Sequence, residues 1–151
     1  MAAADSGVDI LMVEDNPDDE QLTLRAFAKH HLTNKIHVVR DGQEALDYVF
    51  CSGRYADRRI SDHPHVILLD IKLPLIDGIE VLRRIKADER TRTIPVVMLT
   101  SSHEERDLVE SYRLGVNSYI VKPVDFDQFA AAMRQIGLYW LLLNQPPVSG
   151  K

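Results

Sequence analysis

Five short, mostly apolar runs recur along the chain: Val8-Asp9-Ile10-Leu11-Met12-Val13, Ile36-His37-Val38-Val39, Val66-Ile67-Leu68-Leu69, Ile94-Pro95-Val96-Val97-Met98-Leu99 and Tyr119-Ile120-Val121. Continuous apolar runs of this length suit strands covered on both faces, as in a parallel sheet. Between them the apolar positions take helical spacing, and each such segment opens on a cap signal. Asn16 precedes Pro17, a cap residue followed by proline at the first helical position. Asp41 and Asp77 each stand three residues before a glutamate, Ser102 three before Glu105, and Asp125 three before Gln128. These read as capping boxes or looser versions of them. Five strands alternating with five helices predict an α/β chain, a doubly wound parallel sheet with helices on both faces.

The rhythm breaks twice. Cys51–Pro64, "CSGRYADRRISDHP", is long and polar for a link between a helix and a strand. Its Arg54, Arg58 and Arg59 read as a solvated surface, with a partner-binding role for the 53–63 insertion left open. Near the C-terminus, Phe126, Phe129, Met133, Ile136 and Trp140 follow helical spacing and read as core. Leu138, Tyr139, Leu141, Leu142 and Leu143 then add apolar groups all round the last turns. A helix apolar on every side must be buried on every side. These five residues are therefore candidates for a homodimer interface closed by two-fold symmetry.

Composition narrows the field. A chain of 151 residues predicts one domain, divided as a flexible arm (1–7), the folded domain (8–143) and a tail (144–151). With eight residues after Leu143, no output domain is expected. A net charge of −5 argues against a general nucleic-acid binder. The longest apolar run, "LYWLLL" at 138–143, is far too short to span a bilayer. The N-terminal "MAAADSGVD" lacks the pattern of a signal peptide. The lone Cys51 cannot form an internal disulfide and suits a reducing compartment, so the cytoplasm is expected.

The strand ends carry the chemistry. Sites in doubly wound sheets form just beyond the carboxyl ends of the strands. In the strand order 2-1-3-4-5, strands one, three, four and five are neighbours. Glu14 and Asp15 follow strand one, Asp70 follows strand three, Thr100 strand four and Lys122 strand five. Three clustered carboxylates repel one another, and burial raises the cost. A divalent cation relieves both problems, and all-oxygen ligands fit Mg²⁺ rather than zinc. A carboxylate beside Mg²⁺ can attack phosphorus and become an aspartyl phosphate. The Thr100 hydroxyl and the Lys122 ammonium would then meet the charge on the transferring oxygens. Each residue alone has an ordinary reading, as a cap, a β-former or a loop lysine. Their conjunction at four strand ends points to phosphoryl transfer.

Together "VEDNP" (13–17), "LLDIKLPLIDG" (68–78), "VVMLTSS" (96–102) and "YIVKP" (119–123) make the chain resemble a response-regulator receiver domain of two-component signalling. The resemblance implies a flavodoxin-like receiver fold over about 8–143. It implies a phosphoacceptor that promotes its own phosphorylation and dephosphorylation, taking phosphate from a histidine kinase onto Asp70. It implies that Asp15, Asp70 and the backbone carbonyl of Lys72 ligate Mg²⁺, with Glu14 acting through water and Mn²⁺ able to substitute. Thr100 and Lys122 would bind the phosphoryl group. Tyr119 stands where receivers place a switch aromatic, and the small Ser101 would leave the site open to a phosphohistidine. The Lys122–Pro123 bond would be cis. Glu14 departs from the more usual Asp, and Lys72 occupies a position that influences access of attacking water. The 53–63 insertion and the C-terminal "LYWLLLNQPP" resemble single-domain regulators that partner bacteriophytochromes. Two other functions compete. A haloacid-dehalogenase-type phosphatase would need a second Asp where Lys72 stands, and an inert receiver-like scaffold would have lost one of the acids, the Thr or the Lys.

Overall fold

The computed structural model describes residues 9–142. The arm (1–7), Val8 of the first predicted strand, Leu143 and the tail (144–151) lie outside the described residues. The order of elements is β1 (Ile10–Val13), α1 (Pro17–Lys29), β2 (Ile36–Val39), α2 (Gly42–Phe50), β3 (Val66–Asp70), α3 (Gly78–Ala87), β4 (Val96–Thr100), α4 (His103–Ser111), β5 (Ser118–Val121), α5 (Phe126–Gln135) and a final turn, α6 (Tyr139–Leu142). All strand pairs are parallel, in the order β2-β1-β3-β4-β5. No helix among the described residues is long and apolar enough to cross a membrane.

Each predicted cap is made. Asn16 accepts from the amides of Asp18 and Asp19, and Asp41, Asp77, Ser102 and Asp125 accept from those of Glu44, Glu80, Glu105 and Gln128. Every helix of the α/β alternation thus starts at a fixed residue just past a strand. β4 begins at Val96 rather than Ile94 because Pro95 has no N–H to give a ladder. The carbonyl of Pro95 still accepts from Ile67 N at 2.9 Å.

Alternation along the buried strands divides the core in two. Leu11, Val13, Ile67, Leu69, Val96 and Met98 face α2, α3 and α4, where Val49, Leu82, Ile85 and Val109 meet them. Ile10, Met12, Val66, Leu68, Val97 and Leu99 face α1 and α5, against Phe27, Phe129 and Met133. This parity matters at the strand ends. Glu14, Asp70 and Lys122 continue the α1/α5 series, whereas Thr100 continues the α3/α4 series.

Two expectations need correction. The 53–63 insertion is not merely a solvated surface. It folds as two 3-10 turns, Gly53–Tyr55 and Ile60–Asp62. The guanidinium of Arg58 lies 3.8 Å from the Tyr48 ring centroid and donates to the carbonyls of Tyr48 and Asp62. Tyr55 packs against the core, donates to Glu44 at 2.7 Å and meets His37 Nε2 at 2.9 Å. The insertion thereby caps the end of α2 and pads the edge strand β2. Secondly, the C-terminal helix is not continuous. Gly137 takes φ +80°, Leu138 N donates to the Met133 carbonyl at 2.7 Å and Gly137 N to Arg134. That is a Schellman stop. The break throws Trp140 out of the core, where it is 40% exposed, while Leu138 and Tyr139 pack against the α1/α5 core. The side chains of Leu141 and Leu142 lie outside those described.

Two glycines make opposite demands. A Cβ at Gly78 would fall 2.0 Å from the carbonyl oxygen of Asp70, whereas one at Gly137 would meet nothing within 4 Å. Gly137→Ala should therefore cost only left-handed backbone strain, about 1–2 kcal/mol. Gly78→Ala must displace backbone next to Asp70 and should cost about 3 kcal/mol. Urea unfolding of both variants checks the ranking, and the reverse order would contradict this packing.

Candidate functional site

The site is assembled at the carboxyl edge of the sheet by register. Asp70 closes β3 opposite Leu99, and Thr100 closes β4 opposite Val121. Glu14 N donates to Val39 O and Lys122 N to Thr100 O, so the residues just past β1 and β5 stay in line with their neighbours. The Lys122–Pro123 peptide is cis.

Glu14 and Asp70 are buried, at 2% and 5% exposure, and Asp15 is exposed. Each of the three offers a carboxylate oxygen within 4.8 Å of the others. The Lys122 ammonium lies among these acids, 2.8 Å from Asp70 Oδ2, 3.0 Å from Asp19 Oδ2 and 3.4 Å from Glu14 Oε1. Asp19 went unnoticed in the sequence because an acid in the first turn of a helix is already explained by the helix dipole. Its signal was the shared parity: α1 covers the face on which Lys122 continues the series. The other Glu14 oxygen accepts from Asn16 N at 3.2 Å, and Asp70 Oδ1 accepts from Lys72 N at 3.4 Å.

The electrostatics follow from crowding. Burial, then a hydrogen bond to Asp70 and its charge, push Glu14 up to about 8, against the opposing pull of Lys122 and the Asn16 amide. Burial alone would lower Lys122, but its hydrogen bonds to Asp70 and Asp19 outweigh that and hold it above the ordinary lysine range. Such a site favours one more positive charge. The cluster Glu14, Asp15 and Asp70 could hold a metal ion, with hard oxygen donors that suit Mg²⁺ or Mn²⁺.

Thr100 is fully buried, and its hydroxyl has no hydrogen-bond partner. A buried orphan of this kind calls for a ligand or a function. Tyr119 is half-buried against the α2/α3/α4 core, with the guanidinium of Arg106 5.3 Å from its ring centroid. Lys72 is brought to the mouth of the site from the β3–α3 loop, where its ammonium meets Glu105 at 3.4 Å. Of the residues named from sequence, then, the acids and Lys122 converge, Thr100 closes the adjoining strand, and Tyr119 stands apart on the β5 face.

Known proteins share this fold and much of this sequence. The response regulator receiver domain family matches residues 10–134. The probable methanogenesis regulatory protein FilR2 of Methanothrix harundinacea is 43% identical over 91% of this chain and 86% of its own. The response regulator Rcp1 of Synechocystis sp. is 36% identical over 87% of this chain and 88% of its own. Its Mn²⁺-bound crystal structure superposes with a TM-score of 0.71, covering 93% of this chain and 99% of that one. The structure of the bacteriophytochrome response regulator AtBRR, 54% identical, superposes with a TM-score of 0.84 over 92% of this chain and 99% of that one. With the family matched from β1 into α5 and relatives of this identity aligned along nearly their whole length, the chain belongs to the response-regulator receiver domain family.

Proposed function

We propose that Asp70 accepts a phosphoryl group from the phosphohistidine of a histidine kinase, and that the kinase is a bacteriophytochrome. The observation that carries the first part is the Lys122 ammonium 2.8 Å from Asp70, beside a buried Thr100 hydroxyl that lacks a partner. The relationship to AtBRR and Rcp1 supports the second. Asp15, Asp70 and the backbone carbonyl of Lys72 would hold Mg²⁺, with Glu14 reached through water, and Mn²⁺ would serve in its place. When bound, the ion supplies positive charge to the transferring oxygens and to the attacking carboxylate.

The residues of the chain do the rest. Asp70 Oδ2, 2.8 Å from the Lys122 ammonium, is the nucleophile. As the phosphoryl group arrives, Lys122 exchanges part of its carboxylate pairing for phosphoryl oxygens, and the Thr100 hydroxyl donates to another. The P–N bond to the kinase histidine breaks, and its imidazole leaves. The exposed Ser101 next to Thr100 is small enough to admit the donor. A cytoplasmic location and a homodimer complete the reading. The exposed Trp140, next to Leu138 and Tyr139, favours an association surface at that end of the chain.

Metal binding should depend on pH through Glu14. Its folded value of about 8 lies above the ordinary 4.5. The resulting stabilisation is fully present below pH 4.5 and is lost as pH rises through about 8. Below pH 8 the metal must therefore displace a proton. Mg²⁺ affinity measured by calorimetry should rise between pH 6 and pH 8, by up to about tenfold per pH unit, and Glu14→Gln should flatten the slope. An equally steep slope in the variant would place the proton elsewhere.

Phosphotransfer tests the partner. The radiolabelled phosphohistidine form of a bacteriophytochrome from the same genome should label the wild type and leave Asp70→Asn unlabelled. It should do so faster than other histidine kinases of that genome. Preferential labelling by an unrelated kinase would overturn the phytochrome assignment, and labelled Asp70→Asn would overturn the choice of residue.

A further inference from the structure

The capping box of α4 lies beside the site and is displaced by one residue, as is that of α2, where Glu44 Oε1 accepts from Arg40 N at 3.2 Å. In the usual box the carboxylate at the third helical position returns to the N–H of the cap residue itself. Here Ser102 Oγ accepts from Glu105 N at 3.1 Å in the usual way. Glu105 Oε1, however, passes over Ser102 and accepts from Ser101 N at 2.7 Å. Its other oxygen, Oε2, meets Lys72 Nζ at 3.4 Å. Ser101 directly follows Thr100, and Lys72 lies two residues beyond Asp70. One carboxylate thus bridges the ends of β3 and β4 across the mouth of the site.

The strength of the two contacts differs. The Glu105 side chain is 17% exposed, whereas Lys72 is 81% exposed. An ion pair with so exposed a partner is weak. The Ser101 amide is the firmer hold, because a backbone N–H donating to an ionised carboxylate is a charge-assisted bond. Burial alone would raise the Glu105 carboxyl, but its bonds to Ser101 and Lys72 reverse that and hold it below the ordinary range. It stands in the structure as an anion. The Ser101 N–H and the Lys72 ammonium are two donors brought together by Glu105, and the Thr100 hydroxyl, one residue before Ser101, has no partner.

We infer that Glu105 is an internal stand-in for the phosphoryl group, holding the Ser101 amide until a phosphoryl group on Asp70 displaces it. The inference rests on the phosphoacceptor reading above and adds a regulatory residue to it. Phosphorylation brings further anionic oxygens to the edge of the sheet where Glu105 sits. Two anions at one donor repel, and the covalently held one stays. Glu105 turns outward, its tie to Lys72 parts, and the first turn of α4 is released from the β3–α3 loop. Two consequences are linked thermodynamically. Glu105 weakens binding of the phosphoryl group in proportion to the free energy with which it holds the amide. That same free energy is transmitted to α4 when it lets go.

Fluoroberyllate with Mg²⁺ serves as a phosphoryl mimic that needs no transfer step. Glu105→Gln keeps the length of the side chain and a weaker acceptor for Ser101 N while removing the charge. Calorimetric affinity for fluoroberyllate should tighten by about three- to tenfold in Glu105→Gln, as expected on losing a charge-assisted competitor. The melting temperature of the free variant should fall, since the helix start is held less firmly. A purely structural role would lower the melting temperature and leave affinity equal or weaker, and that result overturns the inference. A crystal structure of the wild-type complex gives a readout that needs no variant: Ser101 N should face a fluorine with Glu105 turned away. Glu105 still on Ser101 N in that complex would overturn the stand-in alone. No binding of fluoroberyllate by the wild type would overturn the phosphoacceptor reading, and the stand-in with it.

Discussion

Everything at the carboxyl edge of the sheet depends on one ammonium among three carboxylates. Glu14 and Asp70 are buried a few ångströms apart, an arrangement that repulsion and desolvation would both oppose. Lys122 makes it tolerable by touching Asp70, Asp19 and Glu14 together. The neutralisation is incomplete. Three acids face one base, Glu14 is driven toward its protonated form, and Asp15 lies exposed at the rim. The residual negative charge suits the edge to a divalent cation, and Asp70 pairs with Lys122 inside a buried setting.

The fold supplies this arrangement through parity and register. Parallel strands bring their carboxyl ends to one side, and strict alternation decides which helix layer each terminal residue faces. Glu14, Asp70 and Lys122 share the layer of α1, which adds Asp19. Thr100 faces the layer of α4, which adds Glu105. Strand β3 therefore lies between an acidic half, balanced by Lys122, and a half closed by Glu105. Gly78 fits the chain against the Asp70 carbonyl where no side chain could go.

Much of this was legible in the sequence, for identifiable reasons. The apolar runs are long enough to be strands buried on both faces, and each cap residue sits three positions before a partner amide, so the five strands and the five helix starts could be read directly. The acids, Thr100 and Lys122 followed because they stand at strand ends. Asp19 did not follow, since a first-turn acid already has a sufficient local explanation. Nor did the displaced grip of Glu105, because S-x-x-E spacing does not say whether the carboxylate returns to the cap residue or to the one before it. The helical spacing of Ile136 and Trp140 ran across Gly137 and concealed the stop there, although a glycine at that place was a readable signal. The roles of Tyr55 and Arg58 depend on contacts with β2 and α2 that no local pattern encodes.

The central claim is that this electrostatic arrangement makes Asp70, and no neighbouring acid, the nucleophile. Asp70 lies nearest the Lys122 ammonium, at 2.8 Å, whereas Glu14 lies 3.4 Å from it and also accepts from the Asn16 amide, and Asp15 is exposed. Incubation of the wild-type protein with acetyl phosphate and Mg²⁺, followed by borohydride reduction and peptide mass mapping, tests this directly. The account predicts a single modified carboxylate, at Asp70. Modification at Glu14 or Asp15, or no modification in the presence of Mg²⁺, would contradict it.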